Sequence, residues 1–320
     1  MRQAGKADSP LPEHVEIVEV GPRDGLQSEP VFVPTARKVE LINNLVAAGI
    51  RHFEATSFVS PRAVPQMRDA REVMDGVDRS TGAKFTALVP NMKGAERAME
   101  AGVDALVLFM SASQSHNLKN VNCPRETSLE RFGEICAFAQ SASVPVQGAI
   151  ATSFGCPFEG NVPVEDVVRI AKAYRDMGIR IISLGDTTGM ATPPLVQERC
   201  RALREAVPEV ELTLHFHNTR GVGLVCAYTG LMEGVTRFEA SIGGLGGCPF
   251  VPRATGNIPT EDLVYMLHEC GVETGIDLDK LVTTAEQAES LIGRTLPGQV
   301  MKAGPRLKTH PMDMVATANG

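Results

Sequence analysis

The chain has 320 residues, of which 43% are hydrophobic and 22% are charged, a composition typical of ordinary globular proteins. This length is sufficient for one large barrel or two medium domains. No apolar run approaches the length that crosses a bilayer, so no membrane partner is predicted. The formal net charge of -7 offers no basic surface for nucleic acid, so an anionic ligand would have to meet locally placed arginines and lysines.

The seven cysteines also restrict the function classes. Their number is odd, and no pair has the Cys-x-x-Cys spacing of a metal site. Both features favour a reducing compartment, and we predict a cytoplasmic location. Residues 1–14 lack the apolar core of a secretory signal and are predicted to form a short flexible lead.

Along the chain, short apolar runs alternate with longer amphipathic ones. The apolar runs are rich in Val, Ile, Leu and Phe, as buried strands are, and the amphipathic runs carry helix start and stop signals. Thr35 is predicted to cap the first helix, and Gly49 to end it. The predicted strands cover residues 15–20, 51–56, 84–89, 105–110, 144–151, 179–184, 211–216 and 237–242. The predicted helices include residues 36–48, 92–100, 164–177, 194–206, 260–269 and 278–292.

About eight strand-then-helix units without a break in composition predict an α/β fold, the (β/α)8 TIM barrel with additional C-terminal helices. A dinucleotide-binding sheet is disfavoured because Gly21-Pro22-Arg23-Asp24-Gly25 lacks the Gly-x-Gly-x-x-Gly spacing. The predicted organisation is a lead over residues 1–14, one catalytic barrel domain with a helical extension over 15–293, and a loosely held tail over 294–320.

His215 and His217 are the most informative pair of residues. Alternation along a strand directs both imidazoles to one face of the sheet, where they can bind a metal. An isolated His-x-His is more often a polar strand end whose histidines bond to neighbours. Further polar residues follow other predicted strands, and the carboxyl ends of all strands meet at one face of a barrel. These residues are Arg23, Asp24, Glu54, Ser57, Asp186, Thr187 and the segment 248–257.

An aspartate and two histidines at this face suit a divalent cation. Mixed oxygen and nitrogen ligands favour Mg²⁺ or Mn²⁺ over a thiolate zinc site. We therefore predict a cofactor of one of these two ions.

Several longer motifs point to a known family. Residues 18–27, 54–61, 182–187, 215–217 and 243–249 closely resemble 3-hydroxy-3-methylglutaryl-CoA lyases, within a larger group of metal-dependent barrel lyases and carboligases. The likeness runs from about residue 15 to about residue 293. The Arg-Asp element alone is similar to the whole group, whereas Gly-Gly-Leu-Gly-Gly-Cys-Pro followed by Ala-Thr-Gly-Asn points to the lyase branch.

The resemblance implies retro-Claisen cleavage of an acyl-CoA, giving acetyl-CoA and acetoacetate, by an enzyme that works as a homo-oligomer, expected to be a dimer. Metal coordination would stabilise the substrate alkoxide, and an arginine would accept charge on the thioester oxygen. A thiol on a glycine-rich loop would supply or take a proton. The resemblance assigns the metal ligands to Asp24, His215, His217 and Asn257, the catalytic roles to Arg23, Cys248, Glu54, Asp186 and His215, and the neighbouring substrate positions to Gln27, Ser57, Ser183 and Thr187.

Structural roles compete with these assignments. Arg23 and Asp24 would also suit a buried ion pair, and Cys248 would also suit an inert small core residue. Glu54 and Asp186 would also suit hydrogen-bond acceptors that transfer no proton.

Two departures from the family pattern bear on the substrate. After His-x-His, family members often have Asp-Thr and an aromatic residue, whereas this chain has Arg220 at the aromatic position. Before the asparagine ligand they often have Gln-Gly, whereas this chain has Pro252 and Arg253. Both arginines are predicted near the substrate, facing solvent or the CoA phosphates. Alternatively, one of them holds a carboxylate of another 3-hydroxyacyl-CoA, such as citramalyl-CoA.

Three functions therefore stand as hypotheses. The leading one is an acyl-CoA lyase, and the second is a carboligase that condenses acetyl-CoA with a 2-oxo acid. The best-known carboligases carry a regulatory domain, for which this sequence leaves little room after the barrel. The third is a non-catalytic barrel that binds CoA or a protein, which would be expected to have lost part of the residue set.

Overall fold

The computed structural model describes residues 11–247 and 255–309. Eight parallel strands among these residues close into a barrel in which each strand pairs with the next along the chain and β8 pairs with β1. The strands are β1 (Glu16–Glu19), β2 (His52–Ser57), β3 (Lys84–Leu88), β4 (Ala105–Ser111), β5 (Val146–Ala151), β6 (Ile181–Asp186), β7 (Glu211–Phe216) and β8 (Arg237–Ala240). The predicted (β/α)8 barrel is confirmed.

Helices cover the outside of the barrel and extend beyond β8. They are α1 (Thr35–Ala47), α2 (Ala70–Gly76), α3 (Met92–Glu100), α4 (Gln114–Val121), α5 (Arg125–Ser141), α6 (Val164–Asp176), α7 (Pro193–Ala206), α8 (Gly223–Met232), α9 (Thr260–Glu269), α10 (Leu278–Ile292) and α11 (Val300–Ala303). Short helical turns occur at Gly21–Gly25, Pro65–Met67 and Ile242–Gly244. No described helix is long and apolar enough to cross a membrane.

The start of α1 differs from the prediction. Thr35 is the first helical residue and does not cap the helix. The cap position is occupied by Pro34, whose ψ of 142° is extended and whose side chain makes no capping hydrogen bond. The Thr35 hydroxyl instead donates a hydrogen bond to Asp69 Oδ2 at 2.8 Å. The predicted cap is therefore wrong, because a tertiary contact takes the side chain that a local rule would use.

Apolar side chains fill the layer between strands and helices, whereas the barrel axis is polar near its centre. Phe53 and Phe85, for example, are fully buried and stack with ring centroids 5.2 Å apart. On the axis lies a cavity of about 10 Å³, about the size of one water molecule. Its polar lining residues are Glu54, Thr86, Gln147, Ser183, Thr213 and Glu239.

The described parts of the predicted lead and of the predicted tail contact the rest of the fold. His14, placed in the predicted flexible lead, pairs with Glu273 as a parallel bridge. Leu296, placed in the predicted loose tail, is fully buried and contacts the position of Gly243. The Asp262 carboxylate accepts hydrogen bonds from the backbone N–H groups of Gln299, directly before α11, and of Val300, its first residue. This part of the tail is held in place by the burial of Leu296 and by the hydrogen bonds of Asp262 to the start of α11.

Two buried glutamates hold the backbone that follows β1 and β8. Glu19 Oε1 accepts hydrogen bonds from the N–H groups of Gly21 at 2.8 Å and Ile242 at 2.9 Å. Glu261 Oε2 accepts one from the N–H of Gly243 at 3.0 Å. Burial raises the pKa of Glu19 to about 7 and that of Glu261 to about 8. Both carboxyl groups therefore take up a proton on folding at mildly acidic pH.

This arrangement predicts a pH dependence of stability. Because the folded pKa of Glu261 lies above its ordinary value of 4.5, its contribution is complete below pH 4.5 and is lost as the pH rises through about 8. Glu261→Gln should therefore show a shallower fall in the free energy of unfolding between pH 5 and 8 than the wild type, measured by urea unfolding. Glu286→Gln, on the exposed face of α10, should keep the wild-type slope. Equal slopes for the wild type and Glu261→Gln would contradict the assignment.

Candidate active site

The predicted ligands come together at the carboxyl end of the barrel. Asp24 lies in the helical turn that directly follows β1, His215 lies in β7, and His217 lies just beyond that strand. Asn257 is placed beside them by an antiparallel bridge to His217. The turn fits closely against the segment after β8, since a Cβ at Gly25 would lie 2.8 Å from Leu245 Cβ. Only glycine permits this close approach.

Three ligand atoms converge on one point. One atom each from Asp24, His215 and His217 lies within 4.8 Å of the other two. The Nε2 atoms of the two histidines are 3.0 Å apart, and His217 Nε2 is 3.8 Å from Asp24 Oδ2. Asn257 Nδ2 donates a hydrogen bond to the same Asp24 oxygen at 2.8 Å. This is the arrangement of a three-ligand cation site with an amide beside it.

The protonation states of two of these ligands suit a cation. Burial raises the pKa of Asp24, but Arg23, the two histidines and the Asn257 amide lower it to about 2. Burial and the neighbouring His215 lower the pKa of His217 to about 3. At neutral pH, Asp24 is therefore an anion and His217 a neutral imidazole, the forms that bind metals.

Buried polar atoms at the site test whether the residues fit a cation. Asn257 Oδ1 is buried and has no hydrogen-bond partner among the described residues. The two Nε2 atoms face each other, a contact that is favourable only when a proton or a cation lies between them. Two ring nitrogens, a carboxylate oxygen and an amide oxygen are a donor set for a divalent ion. The residues therefore fit the predicted metal.

Arg23 forms the buried ion pair that its sequence context allowed. Its Nη1 donates to Asp24 Oδ1 at 2.7 Å, and its Nε donates to Glu54 Oε1. Burial lowers the pKa of the guanidinium, but Glu54 and Asp24 outweigh this and raise it, so Arg23 stays charged. The side chain also borders the large cavity at the ligands. The two carboxylates therefore hold the charged Arg23 guanidinium at the wall of the cavity.

A cavity of about 490 Å³ opens from this point, within the size range of small-molecule sites. It is bordered by three of the proposed ligands, Asp24, His215 and His217, and also by residues of α4 and α5, such as Asn120 and Arg131. Gly247, the last described residue before Cys248, also borders it. Of the other predicted site residues, Gln27, Glu54, Ser183 and Thr187 line the cavity.

A sequence model of the HMGL-like family matches residues 14–287 of this chain. The chain belongs to the HMGL-like family. It is 44% identical over 290 residues to the hydroxymethylglutaryl-CoA lyase YngG of Bacillus subtilis (strain 168), covering 91% of this chain and 97% of that protein. It is likewise 44% identical over 297 residues to the mitochondrial hydroxymethylglutaryl-CoA lyase of Gallus gallus, covering 93% of this chain and 100% of that protein.

A solved HMGL-like structure has the same fold. It is an HMG-CoA lyase from Acinetobacter baumannii in complex with coenzyme A and 3-methylmalate. Its TM-score to this chain is 0.90 at 46% identity, covering 94% of this chain and 98% of that one. The predicted family and the predicted class, a carbon–carbon lyase, are confirmed.

Two predicted substrate positions in this HMGL-like chain do not border the cavity. Ser57 is the last residue of β2 and is fully buried, after a register shift between Glu54 and Thr56 that changes the alternation of the strand. Arg220 Nη1 donates to the backbone oxygens of Thr188 at 3.0 Å and Gly189 at 2.6 Å. These contacts give Arg220 a role in bracing the loop after β6, and the substrate roles of Ser57 and Arg220 stay predictions.

Asp186 braces the same loop of the HMGL-like barrel. Its Oδ1 accepts hydrogen bonds from the N–H groups of Met190 at 2.7 Å and Ala191 at 2.9 Å, and burial raises the pKa of the carboxyl to about 7. It does not line the cavity, which favours the alternative of a hydrogen-bond acceptor. Cys248 and Arg253 lie outside the described residues, so their roles stay predictions.

Glu239 is a site residue that the sequence reasoning missed. It lies in β8 and borders both the axial cavity and the large cavity. Its carboxylate lies 2.8 Å from His215 Nδ1. A signal was present, because a charged residue between Phe238 and Ala240 in a predicted strand is unusual unless it faces a site.

Proposed function

We propose that this chain cleaves 3-hydroxy-3-methylglutaryl-CoA to acetyl-CoA and acetoacetate with the help of Mg²⁺ or Mn²⁺. The observation that carries the proposal is the convergence of Asp24, His215 and His217 beside Arg23 at the wall of a cavity. The lyase names of relatives that match nearly the whole chain support it. The predicted homodimer and cytoplasmic location stay predictions.

Asp24, His215, His217 and Asn257 would hold the ion. When bound, the ion supplies electrostatic stabilisation for a tertiary hydroxyl that loses its proton, a change that is costly at neutral pH. Glu54 borders the same cavity, and burial raises the pKa of its carboxyl against the opposing charge of Arg23. These properties suit a group that takes the hydroxyl proton.

Arg23 would receive the charge that the cleavage creates. As the bond between C2 and C3 of the acyl group breaks, its electron pair moves into the thioester and forms an enolate, and acetoacetate leaves. A buried guanidinium held by two carboxylates stabilises this oxyanion without solvent reorganisation. The enolate carbon then takes a proton, which we assign to Cys248, the residue that follows the cavity-lining Gly247.

A second acyl group stands as an alternative. The Acinetobacter baumannii relative was solved with coenzyme A and 3-methylmalate, a methyl-substituted hydroxy diacid of the same chemical class as citramalate. The CoA thioester of such an acid would present its hydroxyl and carboxylate in the same cavity. The fold and the catalytic residues do not fix this choice.

Turnover of matched thioesters tests the proposal. We expect the value of kcat/KM for 3-hydroxy-3-methylglutaryl-CoA to exceed those for citramalyl-CoA and 3-methylmalyl-CoA by roughly tenfold or more, the usual effect of a misfitted group. If a methylmalyl thioester were preferred, the proposed acyl group would be wrong, but the proposed lyase reaction would still stand. The enzyme could instead cleave none of the three and release CoA by condensing acetyl-CoA with a 2-oxo acid. That result would contradict the lyase function and support the carboligase.

A further inference from the structure

We propose that Glu239 is a positioning residue that fixes the His215 ring with its Nε2 towards the cation. This inference rests on the metal-dependent function proposed above. A carboxylate only accepts hydrogen bonds, so the 2.8 Å contact requires that His215 Nδ1 carries the hydrogen. The other ring nitrogen, Nε2, is then the one that faces His217 Nε2 at 3.0 Å.

The barrel itself holds these two side chains together. His215 and Glu239 are register partners in the pairing of β7 with β8, so their side chains leave adjacent strands at the same level. Ser183, on β6, contributes a side-chain hydrogen bond that lowers the pKa of the Glu239 carboxyl. The imidazole is therefore held by three consecutive strands, which makes its direction a property of the scaffold.

The hydrogen bonds of Glu239 are separate from those of Arg23. The Arg23 guanidinium hydrogen-bonds to Glu54 and Asp24, whereas the Glu239 carboxylate hydrogen-bonds to His215 and Ser183. His217, in contrast, has no partner for Nδ1 among the described residues. Glu239 therefore acts on one of the two histidines. Carboxylates that hold a ligating histidine in this way typically contribute roughly tenfold to a hundredfold in metal affinity.

Metal titration of the stripped full-length protein tests the inference. The dissociation constant of Mn²⁺ alone would be measured calorimetrically for the wild type, Glu239→Gln and Glu239→Asp. The glutamine amide can donate or accept and no longer dictates the tautomer, so we expect its constant to rise by roughly tenfold to a hundredfold. The aspartate keeps the charge but is shorter, so we expect an intermediate value. Turnover of Glu239→Gln should recover at saturating Mn²⁺ with an unchanged KM.

The matched control is Glu16→Gln. Glu16 also lies in a barrel strand and contacts a histidine, with Oε2 2.7 Å from His52 Nε2, but it lies at the opposite end of the barrel. We expect it to leave the Mn²⁺ constant unchanged. Thermal melting would confirm that each variant is folded, and Glu239→Asp carries the test if Glu239→Gln does not fold.

Two failures are distinguishable. If wild-type protein does not bind Mn²⁺, the metal-dependent function fails and this inference fails with it. If the wild type binds Mn²⁺ and the folded Glu239 variants bind it equally well, or only melt at lower temperature, Glu239 is merely structural and the inference alone is overturned.

Discussion

Replacing Arg23 by lysine is expected to lower turnover by roughly a hundredfold or more, as loss of one oxyanion donor does elsewhere, with little change in KM. The guanidinium uses Nε for Glu54 and Nη1 for Asp24, and its planar shape leaves further N–H groups at the cavity wall. A lysine ammonium keeps the charge but cannot contact both carboxylates and the substrate oxygen in one plane. Steady-state kinetics with 3-hydroxy-3-methylglutaryl-CoA would measure the effect.

Two controls make this result specific to the enolate. Arg37→Lys changes an exposed arginine that pairs with Glu40 on α1, and it should leave turnover unchanged. The Mn²⁺ content of Arg23→Lys should remain that of the wild type, since a loss of metal would mean that Arg23 acts by positioning Asp24. Turnover within a few-fold of the wild type would show that Arg23 does not face the developing charge.

Replacing His217 by alanine is expected to abolish metal retention. The ring supplies one of three converging ligand atoms, and at pH 7 it is neutral and ready to bind a cation. The bridge between His217 and Asn257 is formed by backbone groups, so the alanine keeps it and the barrel should still fold. Metal analysis after gel filtration would measure retention, and circular dichroism would confirm the fold.

The matched control is His52→Ala, which removes a histidine from the opposite end of the barrel. It should bind as much metal as the wild type. If His217→Ala bound Mn²⁺ with wild-type affinity, the site formed with Asp24 and His215 would not be the metal site.

The order of the elements was readable from the sequence because local signals and the fold agree. The helix over Met92–Glu100 begins after Asn91, whose side chain accepts a hydrogen bond from the N–H of Gly94, as the local rule predicts. Strand ends were less accurate: the prediction for β6 was 179–184, whereas the strand is Ile181–Asp186. Alternation and capping identify an element better than they locate its last residue.

The part of the site formed by residues close together in the sequence was predictable. His215 and His217 lie two positions apart, so alternation alone placed them together. The position of Arg220 was not predictable, because its partners are backbone oxygens of another loop, at Thr188 and Gly189. The contact of Glu239 with His215 likewise depends on the register between two strands, which no local pattern encodes.

Product formation by metal-stripped and reconstituted protein tests the central claim most directly. The full-length protein would be treated with a chelator, supplied with 3-hydroxy-3-methylglutaryl-CoA, and assayed for acetyl-CoA and acetoacetate before and after addition of Mg²⁺ or Mn²⁺. We predict no cleavage by the stripped protein and equal amounts of the two products after either ion is restored. Full activity of the stripped protein, or no cleavage by protein loaded with either ion, would contradict the metal-dependent lyase.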